Sequence, residues 1–159
     1  MFHISRRSVT ILLLSALVAA LAIVAAQARA PQTGPDKNKE EPPFHEYKGV
    51  HIGMSVEEAR KALGNPTDKN DKQDSYSFND KESCQVYYDD ARKVFAVSVT
   101  FLGDKSAPLP KSVIGSDIEA NQDGSLHKLV RYPKVGYWVS YTRTAGEDPM
   151  TIIAIQKIQ

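Results

Sequence analysis

Residues 74–101 read DSYSFNDKESCQVYYDDARKVFAVSVTF. Apolar and polar side chains alternate in three runs, the last of which places Phe95 in phase with Val97 and Phe101. Such alternation is typical of strands that bury one face, because successive strand side chains point to opposite sides of a sheet. The polar separators at 79–82 and 89–92 are short enough to join neighbouring strands in antiparallel order. This stretch therefore predicts a three-stranded antiparallel meander.

The segment before the meander predicts one short helix. Residues 53–66 are GMSVEEARKALGNP, in which Ser55 and Glu58 have the spacing of a capping box. In that motif each side chain accepts from the other residue's backbone N–H. Gly64 and Pro66 are typical of a helix end. The apolar positions form only one narrow edge, so we expect this helix to pack on the sheet rather than to stand alone.

The second half of the chain repeats the pattern of strands. Residues 125–132, 136–143 and 151–158 show alternation again, and residues 110–114 have the length of about one helical turn. The fold class predicted is therefore α+β, with a short helix packed on an antiparallel β-meander.

Two organisations of the predicted strands remain open. Residues 63–66 align with residues 114–117, and the same offset places Tyr87 on Trp138. One interpretation is two tandem helix-plus-sheet units, over residues 49–104 and 105–159. The other is a single six-stranded sheet in which the match between the halves is accidental.

The N-terminal segment predicts export. Arg6 and Arg7 precede an apolar run, and Ala26-Gln27-Ala28 fits signal peptidase, so residues 1–28 are interpreted as a signal peptide. Residues 29–44 are polar and proline-rich and predict a disordered linker. The domain then spans residues 45–159, in the periplasm or secreted. The alternative is an uncleaved signal that anchors the chain in the inner membrane.

Charge and cysteine content exclude several classes of protein. The chain has 20 Lys and Arg against 19 Asp and Glu, so no basic field is present to bind nucleic acid. Cys84 is the single cysteine, which excludes an internal disulfide. We interpret it as a buried apolar side chain on a strand, with an intermolecular disulfide or a catalytic thiol as the alternatives.

The sequence shows no constellation of catalytic or metal-binding residues. His45, His51 and His127 lack metal-ligand spacing, and residues 68–74 lack the glycine and the final glutamate of a calcium loop. We interpret residues 68–74 as a solvated acidic loop. Asp89-Asp90 fits a turn that accepts local backbone hydrogen bonds better than a catalytic pair. The prediction is a protein that is not an enzyme and needs no cofactor or metal.

Aromatic side chains supply the candidate binding residues. Adjacent aromatic residues occur on two strands, and a sheet covered on one side only cannot bury both members of each pair. If Val86 and Val139 face the core, Tyr87 and Trp138 face outward. Tyr and Trp are enriched where proteins bind proteins. The alternative is aromatic pairing that stabilises the sheet alone.

The segment from Gly53 to Pro66, with the strands through Phe101, resembles the SmpA/OmlA-like domain, known from the small lipoprotein subunit of the outer-membrane barrel-assembly machinery. The matching positions are Gly53-Met54-Ser55, Glu58, Leu63-Gly64 and Pro66. The resemblance implies helices packed on one face of a three-stranded antiparallel sheet and a role as a binding scaffold. A tandem form of a similar unit occurs in the secreted β-lactamase inhibitor protein. Arg29 stands where a lipoprotein has its lipid-bearing cysteine.

The functional hypothesis from the sequence is an exported, non-catalytic binding or scaffold module whose partner is an envelope protein. A secreted enzyme inhibitor or a hydrolase accessory domain is the alternative, because a tandem repeat would fit it.

Overall fold

Nine strands and two short helices form the part of the chain that the structure, a computed structural model, describes: residues 41–103 and 106–159. In chain order they are β1 (Glu46–Tyr47), β2 (Val50–His51), α1 (Val56–Leu63), β3 (Asp68–Lys69), β4 (Gln73–Asn79), β5 (Glu82–Tyr88), β6 (Val94–Leu102), α2 (Pro110–Ile114), β7 (Leu126–Tyr132), β8 (Tyr137–Arg143) and β9 (Met150–Lys157).

The main sheet has the strand order β3-β4-β5-β6-β9-β8-β7, and all of its pairings are antiparallel. The predicted first meander is β4-β5-β6, and β7-β8-β9 forms a second meander. The two meet along β6 and β9, from Ala96 opposite Gln156 to Leu102 opposite Met150. The α+β prediction, with a short helix and an antiparallel sheet, is confirmed.

One face of the sheet is covered and carries the core. Apart from Phe95 on β6, its strand residues alternate as predicted, and α1, α2 and the β1-β2 hairpin contribute buried side chains to the same cluster. The core residues of the central strands are Cys84, Val86, Tyr88, Val97, Val99, Phe101, Ile153, Ile155, Val139 and Tyr141. Each fully buried Val or Ile stabilises the fold by about 1.5–3 kcal/mol relative to an exposed side chain. The prediction of a buried Cys84 on a strand is confirmed.

The helix α1 begins and ends where the sequence indicates. Glu58 N donates to Ser55 Oγ at 3.3 Å, and Ser55 N donates to Glu58 Oε2 at 2.8 Å, so the capping box is formed. Gly64 has φ 86° and donates its N–H to the carbonyl of Arg60 at 2.8 Å. That positive φ favours glycine, because a Cβ would be strained there.

The prediction of a solvated acidic loop at residues 68–74 is wrong at both ends. Asp68–Lys69 pairs with β4 as the short edge strand β3, and Asp74 has no exposed surface. Burial of this carboxylate is tolerated because Arg60 on α1 supplies the opposite charge directly.

The ordered fold begins before residue 45. Pro42 is buried, Phe44 packs against the core cluster, and Pro43 Cγ lies 3.7 Å from the point that a Cβ on Gly115 would occupy. Residues 41–44, predicted as the end of a disordered linker, therefore belong to the fold. The predicted signal peptide at 1–28 and residues 29–40 lie outside the described residues. None of the helices in the described ranges is long and apolar enough to cross a membrane.

Candidate binding face

The side of the sheet opposite α1 and α2 bears the predicted binding residues. We call it the open face, and across the central strands it consists of Ser83, Gln85, Tyr87, Ala96, Ser98, Thr100, Leu102, Met150, Ile152, Ala154, Gln156, Trp138, Ser140 and Thr142. Nearly all of these side chains are partly or fully exposed, whereas their chain neighbours on the strands are mostly buried. The difference arises because the two helices and the small hairpin all contribute to the core on the other side.

Tyr87 and Trp138 lie in one row across this face. Strand register places Tyr87 opposite Ala96, Ala96 opposite Gln156, and Gln156 opposite Trp138. The two aromatic residues are therefore three strand spacings apart, or about 14 Å. Small Ala96 and flexible Gln156 lie between them, and we call this row the trough and its two aromatic ends the walls.

The exposure of these residues follows the prediction. Val86, Tyr88 and Val139 are buried in the core, while Tyr87 and Trp138 are partly exposed on the other side. Their outward orientation is confirmed. Their role in binding stays a prediction.

Phe95 belongs to this face, which sequence reasoning missed. The β5-β6 register shifts between Tyr87 and Tyr88, so Tyr88 pairs with Val94 and Phe95 is left over as a bulge. Val94 is buried in its place, and the Phe95 ring lies 6.2 Å from the Tyr87 ring, centroid to centroid. The alternating pattern placed Phe95 in phase with the core, and no residue in the sequence marks the bulge.

Two adjacent depressions share Tyr87 and Phe95 as lining residues. A cleft of about 570 Å³ lies at the end of the sheet, where Lys72, Asp90 and Lys157 also line it. A smaller one of about 330 Å³ continues along β6 and β9. Tyr87 donates its hydroxyl to Gln85 Oε1 at 2.6 Å, which fixes the ring beside the trough. The surface combines aromatic area with hydrogen-bonding groups, as protein-binding surfaces do.

The open face carries charge at one margin. Across β5 to β9 its basic side chains are His127 and Arg131 on β7, and both are exposed. Arg131 continues the aromatic row, since it lies opposite Trp138. Thr142 Oγ1 lies 2.9 Å from His127 Nδ1. The margin is therefore basic and suits acidic groups.

Asp74, on the covered face, is surrounded by donors. It accepts from Arg60 Nε at 2.7 Å, from Arg60 Nη2 at 2.8 Å, and from the Tyr88 hydroxyl at 2.8 Å. Burial acts to raise the pKa of Asp74, but these hydrogen bonds and the charge of Arg60 outweigh it, so the pKa is lowered. A carboxylate held in this way binds α1 to the sheet and is a poor proton acceptor.

The other titratable residues considered from the sequence are dispersed. Asp89 accepts from the backbone N–H of Lys93 at 2.9 Å, as expected for a turn, and Asp90 pairs with Lys72. Within residues 41–103 and 106–159, no group of His, Cys, Asp and Glu side chains is arranged to hold a metal ion.

Comparison with known proteins adds little. No protein-family model matches the sequence, and no curated protein matches it. Among solved structures, the fold is similar to a DUF4309 family protein, YjgB, from Bacillus subtilis. The TM-score is 0.48 at 10% sequence identity, over 69% of this chain and 83% of that chain.

Proposed function

We propose that this chain is an exported, non-catalytic binding module, and that its open face binds an envelope protein with Tyr87 and Trp138 as anchors. The observation that carries the proposal is the row from Tyr87 to Trp138, in which two partly exposed aromatic residues flank Ala96 and Gln156. Buried aromatic anchors supply much of the affinity in protein interfaces.

The dimensions of the trough favour a macromolecular partner. The backbones that carry its two walls are about 14 Å apart, so an α-helix, which is about 10–12 Å wide with its side chains, can lie across the trough and contact both rings. The floor along β6 and β9 includes Ala96, Ser98 and Ala154, whose small side chains admit close approach. A helix or a protruding loop of a folded protein fits such a trough, and no metal or cofactor is needed for the contact.

Export rests on the N-terminal sequence. Arg6 and Arg7, the apolar run after them and the Ala26-Gln27-Ala28 site support release into the periplasm or the medium. An uncleaved segment would instead hold the open face near the inner membrane. The resemblance of residues 53–101 to the SmpA/OmlA-like domain supports an envelope partner, and we include that assignment in the proposal.

A secreted enzyme inhibitor is the second candidate function. The observation that favours it is the joining of two meanders along β6 and β9, which doubles the width of the surface available to one partner. An inhibitor would lower the turnover of a hydrolase, whereas a scaffold would bind its partner without that effect.

Site-specific photo-crosslinking in living cells tests the proposal. A photoreactive residue at Ser140, on the open face, is expected to capture one defined envelope protein, identified by mass spectrometry. The matched control places the same residue at Lys61, exposed on α1. The Tyr87→Ala and Trp138→Ala substitutions should each abolish the Ser140 product. Equal capture from Lys61, or a Ser140 product that survives both substitutions, would count against the open face.

A further inference from the structure

We propose that the outer edge of β7 binds an extended acidic segment of a partner protein, which adds to the sheet as a further strand. This edge differs from the Tyr87 wall of the open face, so the proposal does not depend on the function proposed above. The proposal rests on the backbone of β7, which pairs with no strand on its outer side among the described residues, and on the length and charge of this strand.

The edge of β7 is long and unpaired. In the strand order of the described residues, β7 is the last strand and pairs with β8 alone, over Leu126–Tyr132. The opposite edge of the sheet is β3, which spans only Asp68–Lys69. An edge strand presents backbone N–H and C=O groups that can pair with an incoming strand. A short edge offers few such groups, so the capacity for strand addition is concentrated at β7.

The side chains along this edge are basic and accessible. His127, Lys128 and Arg131 are all exposed, and Leu129 between them exposes 44% of its surface. His127, Leu129 and Arg131 point to the open face, while Lys128 points to the other side and donates to Ser116 Oγ at 3.0 Å. Across β7 itself, positive charge therefore borders an apolar position, and no acidic side chain intervenes.

This charge pattern indicates which kind of segment can pair with the edge of β7. A second copy of β7 is a poor partner, because the strand has no Asp or Glu to offer in any register, and pairing centred on Lys128 places that residue opposite itself. A segment with acidic residues opposite His127 and Arg131 and an apolar residue opposite Leu129 is complementary at each position. Opposite charges across strands favour pairing, and like charges oppose it.

A synthetic peptide tests the inference directly. The probe is a peptide of nine residues with both ends blocked, Glu-Thr-Val-Thr-Glu-Thr-Val-Thr-Glu, in which Glu and Val alternate along one face, so that Glu can lie opposite His127 and Arg131 while Val lies opposite Leu129. Titrated into the isotope-labelled full chain, it is expected to shift the amide NMR signals of residues 126–132 saturably and to slow their hydrogen exchange. Amides of β4 and β5 should not change.

Two matched peptides separate strand addition from simple charge attraction. Replacement of every Glu by Lys should abolish binding. N-methylation of alternate backbone nitrogens keeps the charge but removes the donors, and should weaken binding about tenfold or more. If the N-methylated peptide binds as tightly as the probe, or if the probe does not bind, the inference is wrong.

Protein variants complete the test. The double substitution Lys128→Glu with Arg131→Glu should weaken the acidic probe about tenfold or more and should permit binding of the Lys peptide. Tyr87→Ala, at the far wall of the trough, should leave the affinity within about twofold. Shifts that map to Tyr87 and Phe95 instead of β7 would overturn the edge proposal without affecting the proposed function of the open face.

Discussion

Asp74 and Arg60 show how a single ion pair positions α1 on the sheet. The carboxylate is fully buried, and the guanidinium reaches it from the helix with two hydrogen bonds at 2.7 and 2.8 Å. Tyr88 and Tyr76 donate to the same carboxylate. Such a pair need not add stability over an apolar replacement, but removal of one partner leaves a buried group without compensation.

We expect Asp74→Asn to destabilise the fold by about 2–4 kcal/mol. The charge that holds Arg60 is lost, and the amide cannot accept all of the former donors. Arg60 can turn partly to water, because its side chain is about one-third exposed, which limits the loss. Urea unfolding measures the effect. The matched control is Asp90→Asn, whose ion pair with Lys72 lies at the surface, and it should change stability little.

The carboxylate of Asp74 also makes the stability of the fold depend on pH, in a direction that follows from its lowered pKa. The pKa of Asp74 in the folded state is lowered below its unfolded value of about 3.9. Its contribution is therefore present above that value and is lost as the pH falls through the folded-state pKa. The stability gap between the native chain and Asp74→Asn should stay constant from about pH 7 to pH 5 and narrow as the pH falls below about 4. Glu57, Glu58 and Glu82 also have lowered pKa values, but both proteins share them. A gap that widens in acid would contradict this account.

Thr151 on β9 offers the opposite case, a buried polar atom with no partner. Its side-chain oxygen makes no hydrogen bond among the described residues, and the residue has no exposed surface. We expect Thr151→Val to stabilise the fold by about 1 kcal/mol, because the desolvation cost of the hydroxyl is removed. Thermal unfolding measures the change. Thr142→Val, which removes a hydroxyl that contacts His127, should give no such gain.

At the scale of elements, the start of α1 depends on a local motif. Ser55→Ala removes the side-chain acceptor of the capping box and should cost about 1 kcal/mol. The segment before the helix is also held by β6, since Gly53 N donates to the Val94 carbonyl at 2.8 Å. The helix should therefore persist in the variant. Circular dichroism with urea titration measures both points, and Ser77→Ala, at an exposed strand position, is the control. Loss of helical signal without denaturant would contradict the expectation.

The sequence predicted the regular elements because their signals are local. Alternation located the six long strands, and Ser55 with Gly64 located the ends of α1. Two features depended on tertiary contacts and were not predictable. Asp74 is buried only because Arg60 lies above it, and Phe95 faces outward only because β5 and β6 slip by one residue.

At the scale of the whole molecule, the two meanders share one core. Val97 and Val99 on β6 lie opposite Ile155 and Ile153 on β9, and all four are fully buried or nearly so. A chain that ends at Gly103 would lose this partner strand and expose the middle of the core. Because folded domains are stable by only about 5–15 kcal/mol, we expect the shortened chain to be unfolded.

Circular dichroism and amide NMR of the shortened chain measure that outcome. A cooperative unfolding transition would contradict the expectation and would instead support two independent tandem units, over residues 49–104 and 105–159.

The outward orientation of Tyr87 and Trp138 could be predicted from the sequence, since adjacent residues on a strand point to opposite faces of the sheet. Their alignment in a single row could not, because it follows from the register between β6 and β9.

The reactivity of Cys84 reports on the opening of the sheet. The thiol is 1% exposed between Tyr76 and Val99, and burial raises its pKa to about 12. A thiol-specific reagent can react with Cys84 only when the central strands separate, so the labelling rate measures how often the sheet opens. A ligand bound to the open face or to the edge of β7 would lower the labelling rate in proportion to the fraction of the protein that is bound. Partner binding can thus be followed at a native residue, with no need to introduce a labelling site by mutation.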